Sequence, residues 1–279
     1  MRILLAGRQG QVGWELERVL PVLGDVIATD RSALDLADPD SIRRAVRGAR
    51  PEVIVNAAAY TAVGRAESEP EQAMRVNGEA PGVLAEEAGR LGALLVHYST
   101  DYVFDGTKAG AYLETDAPNP LNAYGRSKLA GERAVQGSGC RHLLLRTSWV
   151  YAPRGKNFFL AISRKARAGE RLRVVADQVG VPTTARFLAE HTAALVARRR
   201  EGLFNLVPCG QTSWHGFACA IVAVLGLRSE VEAIASRDYP QAAARPASSV
   251  LDNRAVAAEL GATLPEWRQL LGQCATGIR

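Results

Sequence analysis

A tyrosine and a lysine lie four residues apart in the stretch LNAYGRSKLAGE, which runs from Leu121 to Glu132. One helical turn of separation places Tyr124 and Lys128 on the same face of a helix. Free tyrosine has a pKa of about 10, and a nearby ammonium group favours the phenolate and lowers that pKa. The pair therefore has the composition of a proton-exchanging group, and its plain alternative is a polar pair on a helix surface.

A second polar stretch, STDYVFDG from Ser99 to Gly106, directly follows the apolar run ALLVHY. In a parallel sheet, groups at the carboxyl end of a strand face the crevice in which cofactors bind. Thr100 is placed there to hydrogen-bond a reacting oxygen. The simpler interpretation is a turn in which serine and threonine hydroxyls end the strand.

Three glycines with GxxGxxG spacing, Gly7, Gly10 and Gly13, follow the apolar run RILLAG. An amphipathic helix is predicted next, because apolar residues recur at helical spacing from Val12 to Leu20. Glycines between a strand and a helix let the backbone approach a pyrophosphate, whose charge is stabilised by the free N–H groups of the helix N-terminus. The pattern predicts dinucleotide binding, and a merely structural glycine-rich turn is the alternative.

The second predicted strand ends at Asp30, about 20 residues beyond the loop, where an acidic side chain can bind adenosine ribose hydroxyls. Arg31 follows it, and Arg8 lies inside the glycine loop. Either guanidinium could instead accept a 2′-phosphate through paired hydrogen bonds. The sequence therefore leaves both NADH and NADPH open.

The N-terminal half alternates short apolar runs with helical patterns, which is the rhythm of βαβ units. The predicted strands are RILLAG, DVIATD, EVIVNAAA, ALLVHYS and HLLLRTS. This predicts an α/β fold, a Rossmann-type doubly wound parallel sheet that covers residues 1–150 and binds NAD(P). Residues 151–279 are predicted to form a smaller, interleaved substrate domain, with segments that return to the first.

Composition argues against several other classes of protein: nucleic-acid-binding, zinc-binding, disulfide-bonded, secreted and membrane-spanning proteins. The chain has 279 residues and a formal net charge of +5, with basic residues spread along it, so nucleic-acid binding is not expected. The four cysteines form no CxxC pair or regular spacing, which favours reduced thiols over zinc or disulfides. The apolar start is too short for a signal peptide, and no apolar run is long enough to span a membrane. A soluble cytoplasmic protein is expected.

Eight motifs together resemble the dTDP-4-dehydrorhamnose reductases of the extended short-chain dehydrogenase/reductase superfamily, in order and approximate spacing. They are GRQGQVG, VNAAAYTAV, AESEPEQAMRVN, STDYVFDG, NPLNAYGRSKLAGE, RTSWVYA, VVADQVGVPT and ARPASSVLD. The resemblance covers nearly the whole chain. It implies reduction of the 4-keto group of dTDP-4-dehydro-β-L-rhamnose by NADH or NADPH to give dTDP-L-rhamnose.

The resemblance also implies residue roles. Tyr124 would be the general acid, Lys128 would lower its pKa and hold the nicotinamide ribose, and Thr100 would polarise the ketone. The implied cofactor contacts are Gly7, Gln9, Gly10, Gln11, Val12, Gly13, Asp30, Arg31, Asp35, Leu36, Ala57, Ala58, Ala59, Tyr60, Tyr124 and Lys128. The implied substrate contacts are Thr61, Thr100, Asp101, Tyr102, Trp149, Asn157, Gln178 and Arg245.

Two features qualify these roles. Many relatives read TAVDKAESE where this chain reads TAVGRAESE, so Gly64 and Arg65 replace an aspartate and a lysine near the crevice. Glu15 and Glu190 resemble acidic residues that some family members place at a magnesium-dependent dimer interface, where carboxylates of two subunits share the ion. Other relatives are monomers, so both a homodimer with structural Mg²⁺ and a monomer are open.

Two further functions stay open. The first is a reductase of another dTDP-4-keto-6-deoxyhexose, because pocket detail decides the sugar epimer. The second is a non-catalytic subunit, because the regulatory subunit of eukaryotic methionine adenosyltransferase resembles this family. The presence of Thr100, Tyr124 and Lys128 favours an enzyme over that subunit.

Overall fold

The computed structural model describes residues 1–240 and 242–278. In these ranges the strands are β1 (Arg2–Ala6), β2 (Asp25–Thr29), β3 (Val53–Asn56), β4 (Leu94–Thr100), β5 (His142–Thr147), β6 (Val150–Tyr151), β7 (Leu172–Val175), β8 (Val179–Gly180), β9 (Thr183–Thr184), β10 (Gly202–Asn205), β11 (Thr212–Ser213) and β12 (Val231–Ile234). The α-helices are α1 (Gln11–Val19), α2 (Pro39–Ala49), α3 (Val63–Ala66), α4 (Pro70–Met74), α5 (Ala80–Leu91), α6 (Ala123–Gly137), α7 (Phe158–Arg167), α8 (Ala185–Ala197), α9 (Trp214–Val224), α10 (Arg254–Leu260) and α11 (Trp267–Thr276).

Six strands form the central sheet in the order β10-β5-β4-β3-β1-β2, and every neighbouring pair is parallel. The five strands predicted from apolar runs are all present, which confirms the α/β class. The chain direction across the sheet reverses between β1 and β3, and ligands of open α/β sheets bind at such a switch point.

Successive side chains along each strand point to opposite faces of the sheet, so they pack into two separate hydrophobic cores. Ile3 of β1 lies in a buried cluster with Leu16 of α1 and Leu188 of α8. Its neighbour Leu4 lies in the opposite cluster with Ile42 of α2, among other residues. Because both faces are covered by helices, the strands are apolar along nearly their whole length rather than alternating with polar residues.

The chain after residue 150 contributes to both parts of the molecule. A third core, built around Tyr151, Phe159, Phe217 and Trp267, joins α7, α9 and α11 to the short parallel pair β7 and β12. Helix α8 packs against α1, and β10 pairs with β5 as the sixth strand of the main sheet. C-terminal segments thus contact the first part of the chain through an edge strand, β10, and a covering helix, α8.

Apolar residues recur at helical spacing from Val76 to Leu91, but the helix over this segment is not continuous. Residues Arg75–Glu79 form a π-helical turn between α4 and α5. This turn carries Asn77, whose side chain accepts from the backbone N–H of Tyr60 and donates to its carbonyl, at 2.8 and 2.9 Å. A π-turn is a common way to reposition one side chain of a helix toward a site.

No helix in the described part of the chain is both long and apolar enough to cross a membrane.

Candidate active site

A cavity of about 680 Å³ opens at the carboxyl ends of the central strands, beside the switch point. Its walls combine the end of β4, the start of α6, the glycine loop and parts of the C-terminal half. The predicted residues that line it are Gly7, Gln9, Gly10, Gln11, Val12, Ala57, Ala58, Ala59, Thr61, Thr100, Asp101, Tyr102, Tyr124, Lys128, Trp149, Asn157 and Arg245. Motifs far apart in the sequence therefore meet around one space.

The glycine loop is tight because side chains are excluded from it. Gly7 has a φ of +89°, and a Cβ there would lie 2.9 Å from the backbone nitrogen of Ala58. A Cβ on Gly13, which does not line the cavity, would lie 2.0 Å from the carbonyl oxygen of Gly7. Gly10 caps α1 without a side-chain hydrogen bond, so the first N–H groups of the helix are not covered by a capping side chain. The loop fits a pyrophosphate.

A smaller cavity of about 240 Å³ adjoins the loop, lined in part by Asp30, Arg31, Asp35, Leu36 and Tyr60. Asp30 accepts hydrogen bonds from the Ser32 hydroxyl at 2.6 Å and from Gln9 at 3.3 Å. The Ser32 hydrogen bonds hold the pKa of Asp30 below its ordinary value. The position and size of this cavity fit the adenosine end of a dinucleotide.

The two arginines that could select the cofactor differ in their surroundings. Arg31 lines the adenosine cavity, and its side chain is 77% exposed beside Asp35 at 3.4 Å. Arg8 instead pairs with Glu17 at 2.5 Å and faces another cavity. Arg31 is therefore the freer of the two to meet a phosphate.

Tyr124 lies in the first turn of α6, which Asn122 caps by accepting a hydrogen bond from the N–H of Gly125 at 2.7 Å. The rings of Tyr124 and Tyr102 meet edge to face, with centroids 6.0 Å apart. Burial raises the pKa of Tyr124 above its ordinary value and outweighs the opposing effect of the Thr100 hydroxyl. The structure thus differs from the expectation of a lowered tyrosine pKa, because burial disfavours the phenolate.

Lys128 lies one turn further along α6, with its side chain buried. Its Nζ donates to the carbonyl oxygen of Tyr98 at 2.6 Å and lies 3.2 Å from Nε2 of His97. Burial lowers the pKa of Lys128 to about 8, while the charge of Glu132 opposes that shift. The lysine nitrogen is thus anchored to β4.

Thr100 ends β4, and its hydroxyl donates to Oδ1 of Asp101 at 3.0 Å. Burial raises the pKa of Asp101 to about 7, and burial likewise raises the pKa of Tyr102 to about 12, against the charge of Arg245. A hydroxyl, a carboxyl group and two phenols therefore converge at the inner end of the cavity.

A profile of the family described as RmlD substrate binding domain matches residues 1–279. The dTDP-4-dehydrorhamnose reductase of Burkholderia thailandensis is 50% identical over 291 residues, with 98% of each chain covered. The protein of the same name from Salmonella typhimurium is 43% identical, with 96% of this chain and 94% of that one covered. The chain belongs to the dTDP-4-dehydrorhamnose reductase family.

A solved structure agrees with this membership. The dTDP-4-dehydrorhamnose reductase of Bacillus anthracis, in complex with NADP, superposes with a TM-score of 0.94 at 32% identity and covers 98% of both chains. The family resemblance inferred from the eight motifs is confirmed, and so is the expectation of an NAD(P)H-dependent oxidoreductase.

Three of the predicted substrate residues have other contacts. Gln178 does not line the cavity and donates to Ser236 Oγ at 2.9 Å. Asn157 caps α7 and donates to Oε1 of Gln11 at 2.7 Å, so it ties the C-terminal half to the glycine loop. Trp149 stacks on Trp214 with ring centroids 3.5 Å apart, so one face of its ring is already covered.

Several cavity residues were not predicted from the sequence. They are Val63, Tyr98, Ser99, Thr147, Ser148, Val150, Gly155, Lys156 and Trp214. Lys156 was detectable in principle, since it is a cation in a loop that follows a strand end. Trp214 begins a helix far along the chain, and no local pattern indicates its contact with Trp149.

The predicted metal residues lie outside the cavity. Glu15 is buried on α1, and Glu190 is exposed on α8. The guanidinium of Arg186 pairs with Glu190 at 2.6 Å and lies 3.5 Å from Glu15. Among the described residues, no group of three or more His, Cys, Asp or Glu side chains could hold a metal ion. Both carboxylates already contact the guanidinium of Arg186, so Mg²⁺ would have to compete with that cation here.

Proposed function

We propose that this protein reduces the C4 ketone of dTDP-4-dehydro-β-L-rhamnose with NADH or NADPH to form dTDP-L-rhamnose. The observation that carries the proposal is the convergence of Thr100, Tyr124 and Lys128 on a cavity continuous with the glycine loop. Residues 1–150 would mainly bind the cofactor and residues 151–279 the nucleotide sugar. We place the enzyme in the cytoplasm, where its four cysteines would stay reduced.

The chain's own residues supply the proton and the orientation, while bound NAD(P)H supplies the hydride to C4 of the sugar. Burial keeps Tyr124 protonated at neutral pH, so its hydroxyl is a donor ready to protonate the C4 oxygen. Thr100 would donate to the same oxygen as negative charge develops on it. Lys128 would stabilise the tyrosine after the proton leaves, since a nearby cation favours phenolate.

The sugar nucleotide would lie between the inner cluster and the C-terminal half. Arg245 and Lys156 both line the cavity and carry the charge that a diphosphate requires. Trp149, Thr61, Asp101 and Tyr102 line the same space. We assign these residues to substrate binding and leave Gln178 and Asn157 to supporting contacts.

A reductase of another dTDP-4-keto-6-deoxyhexose is the second candidate. The replacement of the family aspartate by Gly64 favours it, because that loop lies at the cavity margin next to Val63. Arg65 pairs with Glu69 at 2.5 Å rather than reaching the cavity. The loss of an acidic group from this margin would change how the sugar hydroxyls are held.

A coupled assay tests the reaction. The upstream dehydratase and epimerase generate dTDP-4-dehydrorhamnose from dTDP-glucose, and oxidation of NADPH and NADH is followed by absorbance with product identification. Formation of dTDP-L-rhamnose is expected. A folded protein that binds either cofactor and oxidises neither would contradict the assignment and direct the search to other keto sugars.

Tyr124→Phe tests the proposed acid. The variant lacks the donor but keeps the ring, so it should bind cofactor normally and lose roughly 10²–10⁴-fold in turnover. Cofactor affinity by fluorescence titration and kcat by the coupled assay separate the two effects. Tyr239→Phe is the matched control, since Tyr239 is exposed and lies outside the cavity. Near-normal turnover in Tyr124→Phe would show that another group donates the proton.

A further inference from the structure

A buried chain of three polar side chains runs behind the cofactor wall. Asn56 at the end of β3, His97 in β4 and Lys128 in α6 are each exposed by 2% or less. Asn56 Nδ2 lies 3.1 Å from His97 Nδ1, and His97 Nε2 lies 3.2 Å from Lys128 Nζ. The proposed reaction as described above has no use for the histidine.

The direction of these hydrogen bonds follows from the backbone. Oδ1 of Asn56 accepts from the N–H of Ala58 at 3.2 Å, so the amide nitrogen of Asn56 must face the histidine and donate to Nδ1. The reversed amide would set its NH₂ group against the N–H of Ala58. Because Nδ1 accepts, a neutral His97 ring carries its proton on Nε2.

The Nε2–H group then faces Lys128. The lysine nitrogen already donates to the carbonyl oxygen of Tyr98 at 2.6 Å. An ammonium group has only donors, so it cannot accept from an N–H, whereas a neutral amine has a lone pair that can. The arrangement therefore opposes the charged form of the lysine, in addition to the effect of burial.

We propose that His97 is a positioning residue for Lys128, locked by Asn56 in the Nε2–H tautomer so that its N–H directs the lysine nitrogen and opposes its protonation. Ala58, which holds Asn56, also lines the cofactor cavity. The cofactor wall and the charge state of the lysine are thus linked through one network. The functional consequence of this inference rests on the proposed reduction.

On α6 and the elements packed against it, the other titratable groups have partners or positions of their own. On α6, Glu132 pairs with Arg146 of β5 at 2.7 Å, and Tyr124 faces the cavity. Glu67, after α3, accepts from the N–H of Ala123 at 2.7 Å. From β4 and the turn after it come the phenol of Tyr98 and the carboxyl group of Asp101. Substitutions at Asn56 or His97 leave these groups in place.

The first measurement does not depend on the reaction. ¹⁵N chemical shifts of the histidine rings in the full-length protein distinguish protonated from unprotonated nitrogens, and His97→Gln identifies the signals of His97 among the four histidines. We expect Nε2 protonated and Nδ1 unprotonated from pH 6 to 9. A proton on Nδ1 with a bare Nε2, or both nitrogens protonated at neutral pH, would overturn the proposal.

The second measurement is the pH dependence of kcat. In the parent, kcat should fall as pH rises through about 8, where Lys128 loses its proton. His97→Leu removes the N–H but keeps the site buried, so this fall should move up by about one pH unit. Asn56→Asp keeps the acceptor for the N–H of Ala58 but removes the donor to Nδ1 of His97. The fall in kcat should therefore also move to higher pH in this variant.

His142→Leu is the control, because His142 lies on the next strand and its ring contacts the carbonyl oxygen of Cys140 at 2.9 Å. A uniform loss of rate at every pH in both network variants, with the fall still near pH 8, would indicate a merely structural histidine and overturn the proposal. A parent without any reduction, but with the expected NMR tautomer, would refute the proposed function and leave the network intact.

Discussion

At the scale of single residues, burial of the Asp101 carboxyl group in the site reduces the stability of the folded protein when that group is charged. Its buried carboxyl group has a pKa of about 7, against an ordinary value near 4. Between these values the folded protein binds more protons at this group than the unfolded chain does. Stability from this group is therefore present at low pH and is lost as pH rises toward 7.

Asp101→Asn should remove that pH dependence. The amide stays neutral and can still accept from Thr100, so the melting temperature of the variant should exceed that of the parent by a margin that grows by at least roughly 2–4 °C between pH 5 and pH 8. Differential scanning calorimetry at the two pH values checks this. A difference of the same size at both pH values would mean that burial of the charge is not the cause.

Cofactor choice is also decided by single side chains. Arg31→Ala should weaken NADPH binding about tenfold and leave NADH binding nearly unchanged, since an exposed guanidinium at the adenosine cavity can pair with a 2′-phosphate. Arg8→Ala is the matched comparison, because Arg8 already pairs with Glu17. Isothermal titration with both cofactors measures the effect, and a larger loss in Arg8→Ala would reassign the phosphate contact.

The types of residue in the sequence indicated which side chains could take part in the reaction, but not which neighbours those side chains contact. Tyr124, Lys128 and Thr100 line one cavity because a helical turn and a strand end fix their directions. The raised tyrosine pKa was not predicted, since it depends on how deeply Tyr102 and other neighbours bury the ring. Gln178 was assigned by motif position, and only the folded chain shows that Ser236 takes its amide.

At the scale of elements, α6 is positioned by close backbone contact. A Cβ on Gly131 would lie 2.1 Å from the carbonyl oxygen of Asn77 in the π-helical turn. That contact fixes the distance between α6, which carries Tyr124 and Lys128, and the turn that holds Tyr60. Any side chain at this position must move backbone rather than a flexible neighbour.

Gly131→Ala should therefore destabilise the protein by about 1–3 kcal/mol and lower kcat, because α6 must shift. Gly137→Ala, at the other end of the same helix, has open space within 4 Å and should stabilise by up to about 1 kcal/mol. Urea denaturation gives both free energies of unfolding. Equal effects of the two substitutions would contradict the tight-contact explanation.

The sequence predicted elements where periodicity is local and strong. The five strands were found because buried parallel strands are short continuous apolar runs bounded by turns. The π-turn could not be predicted, because one extra residue in a helical turn leaves the spacing of the apolar residues almost unchanged. The place of β10 beside β5 depends on a partner 59 residues earlier in the chain, which local patterns do not encode.

At the scale of the whole molecule, the homodimer with shared magnesium stays a prediction that Arg186 now opposes. We expect sedimentation velocity to give the same species with Mg²⁺ and with a chelator, because the guanidinium of Arg186 already contacts both Glu15 and Glu190 and would compete with the ion. Glu15→Gln provides the test of the alternative. A dimer that forms only with Mg²⁺ and is lost in this variant would show that the metal displaces the arginine.

The strand β10 has a further consequence for synthesis of the chain. Until residue 205 has left the ribosome, the outer edge of β5 has no pairing partner, and the site for α8 on α1 is uncovered. An unpaired apolar edge strand is a template for aggregation. A nascent chain that has only its first 150 residues outside the ribosome should thus require a chaperone, even though this part already contains the glycine loop, Tyr124 and Lys128.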